Sequence, residues 1–214
     1  MPLAIFDLDG TLLDSAPDIH ASLNRVLEGY ALAPFTLAEV TKMIGDGART
    51  LVEKAFAARG AAFQEEAVKR FLTDYEPNST VLTRPYPGMV EALEAFGQAG
   101  WRRAICTNKP IAATWVMLDA LDLRGYFELV LGGDSLPVKK PDPGHVRGVL
   151  EGLGMSASDA VMIGDHQNDI RAAAGAGVRS VFAAWGYGDG AGADLACATA
   201  ADLPDLLITS PATA

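Results

Sequence analysis

The chain has 214 residues, of which 50% are hydrophobic and 21% are charged, which is an ordinary balance for a globular protein. Its formal charge is −10, and acidic and basic residues are interspersed, so the chain lacks the basic clusters that bind nucleic acid. A local positive pocket for a small phosphorylated molecule is still compatible with this charge. No apolar run approaches the roughly 20 residues that span a bilayer, and no basic segment precedes the first apolar run. We therefore expect a cytoplasmic protein that binds neither a membrane nor nucleic acid.

The first apolar run, Leu3–Phe6, is typical of a strand that is buried on both faces. The next segment, residues 16–80, contains helical patterns and no good strand. Its helical patterns lie at Asp18–Gly29, Leu37–Met43, Ala48–Arg59 and Glu65–Asp74. Pro85 and Pro87, in TRPYPG, follow this segment and indicate that the chain returns to the sheet there.

After residue 85, strand patterns alternate with helical patterns. Strands are predicted at Arg103–Cys106, Leu129–Leu131, Ala160–Ile163 and Ser180–Ala183, and helices near Gly88–Ala99, Ala112–Leu121, Pro143–Gly152 and Asp169–Ala174. The tail after Gly186 is rich in glycine and alanine, and only a short helix near Leu203–Leu207 is predicted in it. This alternation predicts an α/β fold with a doubly wound, mostly parallel, Rossmann-like sheet. Residues 1–15 and 81–214 would form this core domain, with residues 16–80 inserted as a small α-helical domain.

Asp7 and Asp9 directly follow the first predicted strand, and in parallel sheets ligands bind beyond the carboxyl ends of the strands. Residues i and i+2 of a strand share a face, so these two carboxylates can converge on one small volume. A proton or a divalent cation would relieve their repulsion. One carboxylate can then attack phosphorus while the other transfers a proton. The alternative for this segment alone is a turn whose aspartates cap a helix.

Two later strand ends carry candidate phosphate-binding side chains. Thr107 and Asn108 precede a helix that Pro110 would start, and a helix N-terminus offers free N–H groups to a phosphate. A plain helix cap explains that segment equally well. Lys140, in VKKPDPG, could neutralise a phosphate, although a pair of lysines by itself is usually solvated surface.

The last strand end carries Asp165 and Asp169 in GDHQND. Mg²⁺ prefers hard oxygen ligands, so one Asp from this segment and one from the first strand end would suit it. Acidic residues that cap a helix are the alternative. Together the four strand ends supply a nucleophile, an acid/base, a phosphate clamp and a metal site, which are the groups that phosphoryl transfer requires.

The segments DLDGT, TN of CTNKP, KKPDP and GDHQND, in that order, resemble the four motifs of the haloacid dehalogenase-like hydrolase superfamily. The resemblance covers essentially the whole chain, including a helical cap inserted after the first motif. Within the superfamily, Ile44–Phe56 and Leu131–Pro143 look most like segments of phosphoglycolate phosphatases. The resemblance implies an Mg²⁺-dependent phosphomonoesterase that forms an aspartyl-phosphate. Its substrate would be a small phosphorylated metabolite, with 2-phosphoglycolate as the leading candidate.

The resemblance also implies the roles of the acidic residues. Asp7 matches the nucleophile, and Asp9 matches the general acid/base. The expected Mg²⁺ ligands are Asp7, Asp165 and the backbone carbonyl of Asp9. Asp169 matches the acid that supports the metal site and orients the lysine.

The remaining motif positions match a phosphate pocket. Thr107 and Lys140 match the phosphate-binding pair, and Asn108 contributes to the same pocket. Lys140 is the better match of the two lysines because it directly precedes Pro141. His166 departs from the group, where a Ser is common, and we assign it no role.

The helical cap is expected to close over the site and to contact the leaving group of the substrate. Gly45–Arg49 is the expected contact loop, because its two glycines permit a tight turn and Arg49 could bind a substrate carboxylate. The alternative is that Arg49 is a surface residue that pairs with Glu53, four residues further along the helix.

Two other functions share parts of this pattern. A β-phosphoglucomutase resembles the chain in motifs and cap, but it returns the phosphoryl group to a sugar instead of water. A phospho-aspartate receiver domain also combines acidic Mg²⁺ ligands with a Thr and a Lys, but receivers are shorter and have no helical insertion. Nothing in the sequence distinguishes a monomer from a dimer.

Overall fold

The computed structural model describes residues 1–209, which form eight strands and eight α-helices with short helical turns between them. In chain order these are β1 (Leu3–Phe6), β2 (Leu13–Asp14), α1 (Ala16–Glu28), α2 (Leu37–Thr41), α3 (Ala48–Ala58), α4 (Glu65–Asn78), β3 (Arg84–Pro85), α5 (Met89–Gln98), β4 (Arg102–Cys106), α6 (Ile111–Ala120), β5 (Leu129–Leu131), α7 (Pro143–Leu153), β6 (Ala160–Gly164), α8 (Gln167–Ala176), β7 (Arg179–Ala183) and β8 (Leu195–Cys197). None of these helices is both long and apolar enough to cross a membrane.

Six strands form one sheet in the order β5-β4-β1-β6-β7-β8, and every neighbouring pair is parallel. From β1 the chain builds the sheet outward through β4 to β5, and then returns to add β6, β7 and β8 on the other side. The strand order therefore reverses between β1 and β6, and such a reversal leaves a crevice at the carboxyl ends of the two strands. The predicted doubly wound α/β fold is confirmed.

The sheet is buried on both faces because successive side chains of each strand point to opposite sides. In β1, Ala4 and Phe6 join an apolar cluster with side chains of α5 and α6, whereas Leu3 and Ile5 join a second cluster with α7 and α8. None of these four residues is exposed. The continuous apolar run that predicted the strand is thus explained by helices on both faces.

The helical block, defined as α1–α4, packs around an apolar cluster of its own, with Leu23, Leu27, Val52, Phe56 and Phe71 among its buried members. The chain leaves the sheet through β2 and returns through β3. These two segments pair antiparallel, with Leu13 opposite Pro85. A two-stranded ribbon thus connects the helical block to the sheet.

Besides the short strands β2 and β3, which were not predicted, three features differ from the sequence-based expectations. β8 was not predicted, because its three residues lie in a Gly- and Ala-rich tail and occupy the sheet edge, where a strand needs little apolar surface. The α4 helix continues four residues beyond Asp74, through Pro77 in its last turn. The predicted terminal helix near Leu203–Leu207 is helical, but it continues as a π-helical turn at Asp205–Thr209 and is preceded by a 3₁₀ turn at Ala200–Asp202.

Candidate active site at the strand ends

The crevice between β1 and β6 collects most of the predicted site residues. Asp7 follows β1, Thr107 follows β4 and Asp165 follows β6. Lys140 comes from the long loop after β5, and Asp169 lies in the first turn of α8. All five are buried. Side chains from four strand ends therefore meet at one place, as the sequence predicted.

Lys140 is held between two carboxylates. Its Nζ atom lies 2.5 Å from Oδ1 of Asp169 and 2.9 Å from Oδ1 of Asp7, and its side chain is 1% exposed. The contact with Asp169 is a hydrogen bond, whereas the contact with Asp7 is an ion pair by distance without hydrogen-bond geometry. Burial by itself lowers the pKa of Lys140, but Asp169 and Asp7 outweigh it and raise the pKa. The ammonium is therefore charged.

Asp7, Asp165 and Asp169 form a buried acidic cluster, in which one oxygen of each lies within 4.8 Å of the others. Burial, followed by the charges of Asp7 and Asp169, raises the pKa of Asp165 to about 8. The hydrogen bond from the backbone N–H of Tyr187, at 2.7 Å, and the charge of Lys140 oppose this effect only in part. Three hard oxygen donors with excess negative charge are a set that fits a divalent cation such as Mg²⁺.

Gly10 allows the first motif to pass directly beside this cluster. Its φ angle is +80°, and a Cβ atom at this position would lie 2.3 Å from Oδ2 of Asp165. Any other residue would combine a strained backbone with a clash. The glycine of DLDGT is therefore required by the closeness of the β1 and β6 ends.

Asp9 faces a different set of partners. Its Oδ1 atom accepts a hydrogen bond from the Ser15 hydroxyl at 2.5 Å, and Nζ of Lys109 lies 3.0 and 3.1 Å from its two carboxylate oxygens. Lys109 also donates to the hydroxyl of Tyr75 at 2.7 Å. Burial lowers the pKa of Lys109, but Asp9 and Tyr75 outweigh burial and raise it. Asp9 thus lies outside the acidic cluster, in an ion pair of its own.

Sequence reasoning missed Lys109 and Tyr75. Lys109 stands in CTNKP between the predicted Asn108 and Pro110, so its position at a strand end was a usable signal. Tyr75 comes from α4, and nothing in its local pattern distinguishes it from a core residue. Tyr187 was also given no role, yet its hydroxyl donates to Asp14 and accepts from two backbone N–H groups at the start of α1.

Thr107 and Asn108 lie at the floor of the same region. The hydroxyl oxygen of Thr107 accepts from the backbone N–H of Lys109 at 3.3 Å. The amide nitrogen of Asn108 donates to the carbonyl oxygens of Lys140 and Gly45, at 2.8 and 3.0 Å. The amide oxygen of Asn108 is buried and has no hydrogen-bond partner among residues 1–209.

The loop between α2 and α3 touches the strand ends through polar contacts. Nζ of Lys139 donates to the backbone carbonyl oxygen of Asp46 at 2.7 Å. The side-chain amide of Asn168 donates to the carboxylate of Asp46, also at 2.7 Å. Gly45 and Gly47 have φ angles of +120° and +89°, as a tight turn requires. This loop belongs to the predicted contact segment Gly45–Arg49.

A cleft of about 530 Å³, which includes its opening to solvent, lies between the helical block and the strand ends. Its floor is polar, and its other walls are mainly apolar. Polar residues that line it are Asp7, Asp9, Tyr75, Thr107, Asn108 and Lys109, and apolar ones include Ile19, Ile44, Leu51, Phe71 and Leu72. A small polar group bound at the floor would be largely shielded from water.

Arg49 is the predicted site residue that the structure does not bring to the strand ends. Its guanidinium pairs with Glu53 at 3.0 Å and with Glu65 at 2.9 Å, and its side chain is 51% exposed. It does not belong to the residues that line the cleft. In this structure Arg49 forms the surface pair with Glu53 that the helical spacing allowed.

The chain was compared with known proteins. Residues 4–183 match the family model described as haloacid dehalogenase-like hydrolase. The chain belongs to this family. The predicted family and the predicted class, a phosphatase-like hydrolase, are therefore confirmed.

Curated members of the family include close relatives of this chain. It is 41% identical over 192 residues to a phosphoglycolate phosphatase of Agrobacterium fabrum, covering 88% of this chain and 82% of that protein. It is 42% identical over 191 residues to a phosphoglycolate phosphatase of Cereibacter sphaeroides, covering 87% of each.

Solved structures of the family have the same fold. A protein of Haemophilus somnus, described as a predicted phosphoglycolate phosphatase, superposes with a TM-score of 0.89 at 32% identity, over 96% of this chain and 97% of the other. The CbbY protein of Rhodobacter sphaeroides, in complex with phosphate, superposes with a TM-score of 0.82 at 22% identity, over 95% and 96% of the two chains. At that identity the second likeness concerns the fold alone.

Proposed function

We propose that the protein is an Mg²⁺-dependent phosphomonoesterase that hydrolyses 2-phosphoglycolate through an aspartyl-phosphate on Asp7. The observation that carries this proposal is the surroundings of Asp7. Lys140 and the carboxylates of Asp165 and Asp169 lie on one side of it, and the Asp9 carboxylate lies nearby. The relatives named phosphoglycolate phosphatase support the substrate, because the similarity extends over most of this chain. We also propose that residues 1–15 and 81–214 act as the catalytic domain and residues 16–80 as its cap.

The acidic cluster fits Mg²⁺. The carboxylates of Asp7 and Asp165 and the backbone carbonyl of Asp9 would hold the ion, and Asp169 would support them. When bound, Mg²⁺ supplies positive charge that offsets the carboxylates and the phosphoryl oxygens.

Asp7 acts as the nucleophile. A carboxylate oxygen of Asp7 forms a bond to phosphorus as the bond between phosphorus and the ester oxygen breaks. Lys140, fixed by Asp169, offers positive charge to the phosphoryl group. Thr107 and Asn108 bind the phosphoryl oxygens beside the N-terminus of α6.

Asp9 transfers the protons. Once protonated, Asp9 donates that proton to the departing ester oxygen, which leaves as an alcohol. The resulting carboxylate then takes a proton from a water molecule, whose oxygen attacks the phosphorus of the aspartyl-phosphate. This second step releases inorganic phosphate and restores both Asp7 and protonated Asp9. The helical block covers the cleft and keeps other water out.

The test is phosphate release from 2-phosphoglycolate, with and without Mg²⁺, beside a panel of sugar phosphates, nucleotides and pyrophosphate. We expect turnover that needs Mg²⁺, prefers 2-phosphoglycolate and disappears in Asp7→Asn. Asp119→Asn is the matched control, because this exposed carboxylate pairs with Arg124 on the surface. It should turn over substrate like the wild type.

Each contrary outcome identifies a different error. Preference for another panel member would keep the mechanism and reject 2-phosphoglycolate. Stable phosphorylation of Asp7 by a small phosphodonor, without phosphate release, would reject hydrolysis and favour a mutase or a receiver domain. Full activity of Asp7→Asn would reject the mechanism.

A further inference from the structure

Lys109 is a buried cation that the proposed mechanism does not use. Its side chain is 4% exposed, and its Nζ atom contacts both carboxylate oxygens of Asp9 and the hydroxyl of Tyr75. The same ammonium lies 4.4 Å from the centre of the Tyr75 ring. Burying a charged lysine is costly unless it is paired, so a residue of this kind at a candidate active site calls for a specific role.

The position of Lys109 is close to where the leaving group must sit. Asp9 has to reach the ester oxygen of the substrate to protonate it, which requires a distance of about 3 Å. Nζ of Lys109 lies 3.0 Å from Asp9, so it stands within about 6 Å of that ester oxygen. In a 2-phospho-carboxylate the carboxylate carbon is two bonds from the ester oxygen, or roughly 2.5 Å. A carboxylate that points from there toward Lys109 can therefore reach the ammonium.

The other cations near the cleft are engaged elsewhere. Lys140 is held by Asp7 and Asp169, Lys139 donates to the Asp46 carbonyl oxygen, and Arg49 is paired with two glutamates away from the cleft. Among the described residues that line the cleft, Lys109 alone carries a positive charge. The rest of the leaving-group side is mainly apolar, and an apolar wall would not favour a carboxylate.

Tyr75 adds a second donor at the same point. Its hydroxyl oxygen accepts from Lys109, and its own proton is directed at the sulfur of Met117 at 3.6 Å. A thioether is a weak acceptor, so little is lost when this hydroxyl turns to a carboxylate oxygen. Lys109 and Tyr75 together form a small anion-binding corner beside Asp9.

We propose that Lys109 is a specificity-determining residue, which selects phosphomonoesters that carry a carboxylate on the carbon next to the ester oxygen. Its ammonium binds that carboxylate while Asp9 donates a proton to the ester oxygen. The inference rests on the proposed phosphatase function and identifies the residue that recognises its substrate.

The first experiment compares 2-phosphoglycolate with ethyl phosphate, in which a methyl group replaces the carboxylate. In the wild type we expect kcat/KM to favour 2-phosphoglycolate, and in Lys109→Met we expect this preference to fall by about 10- to 100-fold. Lys139→Met is the matched control, since it also removes a charge near the cleft but from a lysine whose hydrogen bond goes to the Asp46 carbonyl oxygen and not to Asp9. This variant should change kcat/KM for both substrates by the same factor.

The second experiment measures binding without turnover, by calorimetry with saturating Mg²⁺. The ligands are 3-phosphonopropionate and propylphosphonate, which replace the ester oxygen of the two substrates by a methylene group. The proteins are Asp9→Asn and the double variant Asp9→Asn/Lys109→Met, which leaves no buried charge unpaired at this position. The single variant should bind the carboxylate-bearing ligand more tightly, and the double variant should bind both ligands alike.

The outcomes separate this inference from the proposed function. If neither ester is hydrolysed but the binding preference is present and depends on Lys109, the phosphatase proposal fails and this inference stands. If Lys109→Met lowers both activities equally, or if the binding preference survives in the double variant, Lys109 only supports Asp9 and the inference is overturned.

Discussion

Replacing Asp165 by Asn in the metal-free protein is expected to remove one source of pH-dependent instability. Burial, together with the charges of Asp7 and Asp169, raises the pKa of Asp165 from 3.8 to about 8. Between these two values the folded protein holds a proton that the unfolded chain has released. Stability is therefore fully present below about pH 4 and is lost as the pH rises toward 8.

The magnitude follows from the number of protons. One proton held only by the folded state changes the free energy of unfolding by about 1.4 kcal/mol per pH unit, or about 3 kcal/mol between pH 5 and pH 7. Asn has nearly the same shape as a protonated Asp and does not titrate. Groups outside the acidic cluster contribute equally to both proteins, so the difference between the two slopes reports Asp165 together with its charge interactions with Asp7 and Asp169.

The assay is urea unfolding of both proteins in EDTA at pH 5, 6 and 7, followed by tryptophan fluorescence. The wild type should lose stability more steeply with rising pH than Asp165→Asn, while Asp119→Asn should keep the wild-type slope. Parallel curves for the wild type and Asp165→Asn would refute the reasoning. Because a bound Mg²⁺ must displace the same proton, added Mg²⁺ should stabilise the wild type increasingly as the pH rises.

Three further changes have expected outcomes. Lys140→Met leaves the carboxylates of Asp7 and Asp169 buried without their shared cation, so urea unfolding should show a loss of about 3–5 kcal/mol; a loss below 1 kcal/mol would contradict the pairing. Asn168→Ala removes a contact between the strand ends and the α2–α3 loop, so steady-state assays should show KM raised several-fold and kcat changed less; an effect on kcat alone would contradict this role. Gly10→Ala combines backbone strain with a clash against Asp165, so it should lower the free energy of unfolding by about 1–3 kcal/mol. An unchanged midpoint of urea unfolding would contradict this, because it would mean that the ends of β1 and β6 move apart at little cost.

The strand ends could be predicted because each candidate residue directly follows an apolar run. Asp7 and Asp165 are adjacent to strands in the chain, and parallel pairing of β1 with β6 brings their carboxyl ends together. For such residues, the strand order of the sheet determines which of them come together in space. The roles assigned to them rest on the resemblance to the family and stay proposals.

The contacts of the helical block could not be predicted in the same way. Tyr75 reaches Lys109 from 34 positions earlier in the chain, and Lys109 reaches Asp9 across 100 positions. Such pairs depend on how the helical block lies over the sheet, which no local pattern encodes. Arg49 illustrates the same limit, because its spacing to Glu53 favoured a surface pair and its neighbouring glycines favoured a substrate contact.

The β2–β3 ribbon has a mechanical consequence for the cleft. A single connecting segment would let the helical block swivel in any direction, whereas two paired segments form a strip that restricts the directions in which the block can move. The carboxylate of Asp18 stiffens the far end of this strip, because it accepts hydrogen bonds from the backbone of Leu82 and Thr83 and from the Thr83 hydroxyl. We therefore expect the strip to bend at Leu13–Asp14 and Arg84–Pro85. The helical block should therefore open and close the cleft along one restricted path. Tyr75 would then return to the same position beside Lys109 each time the cleft closes.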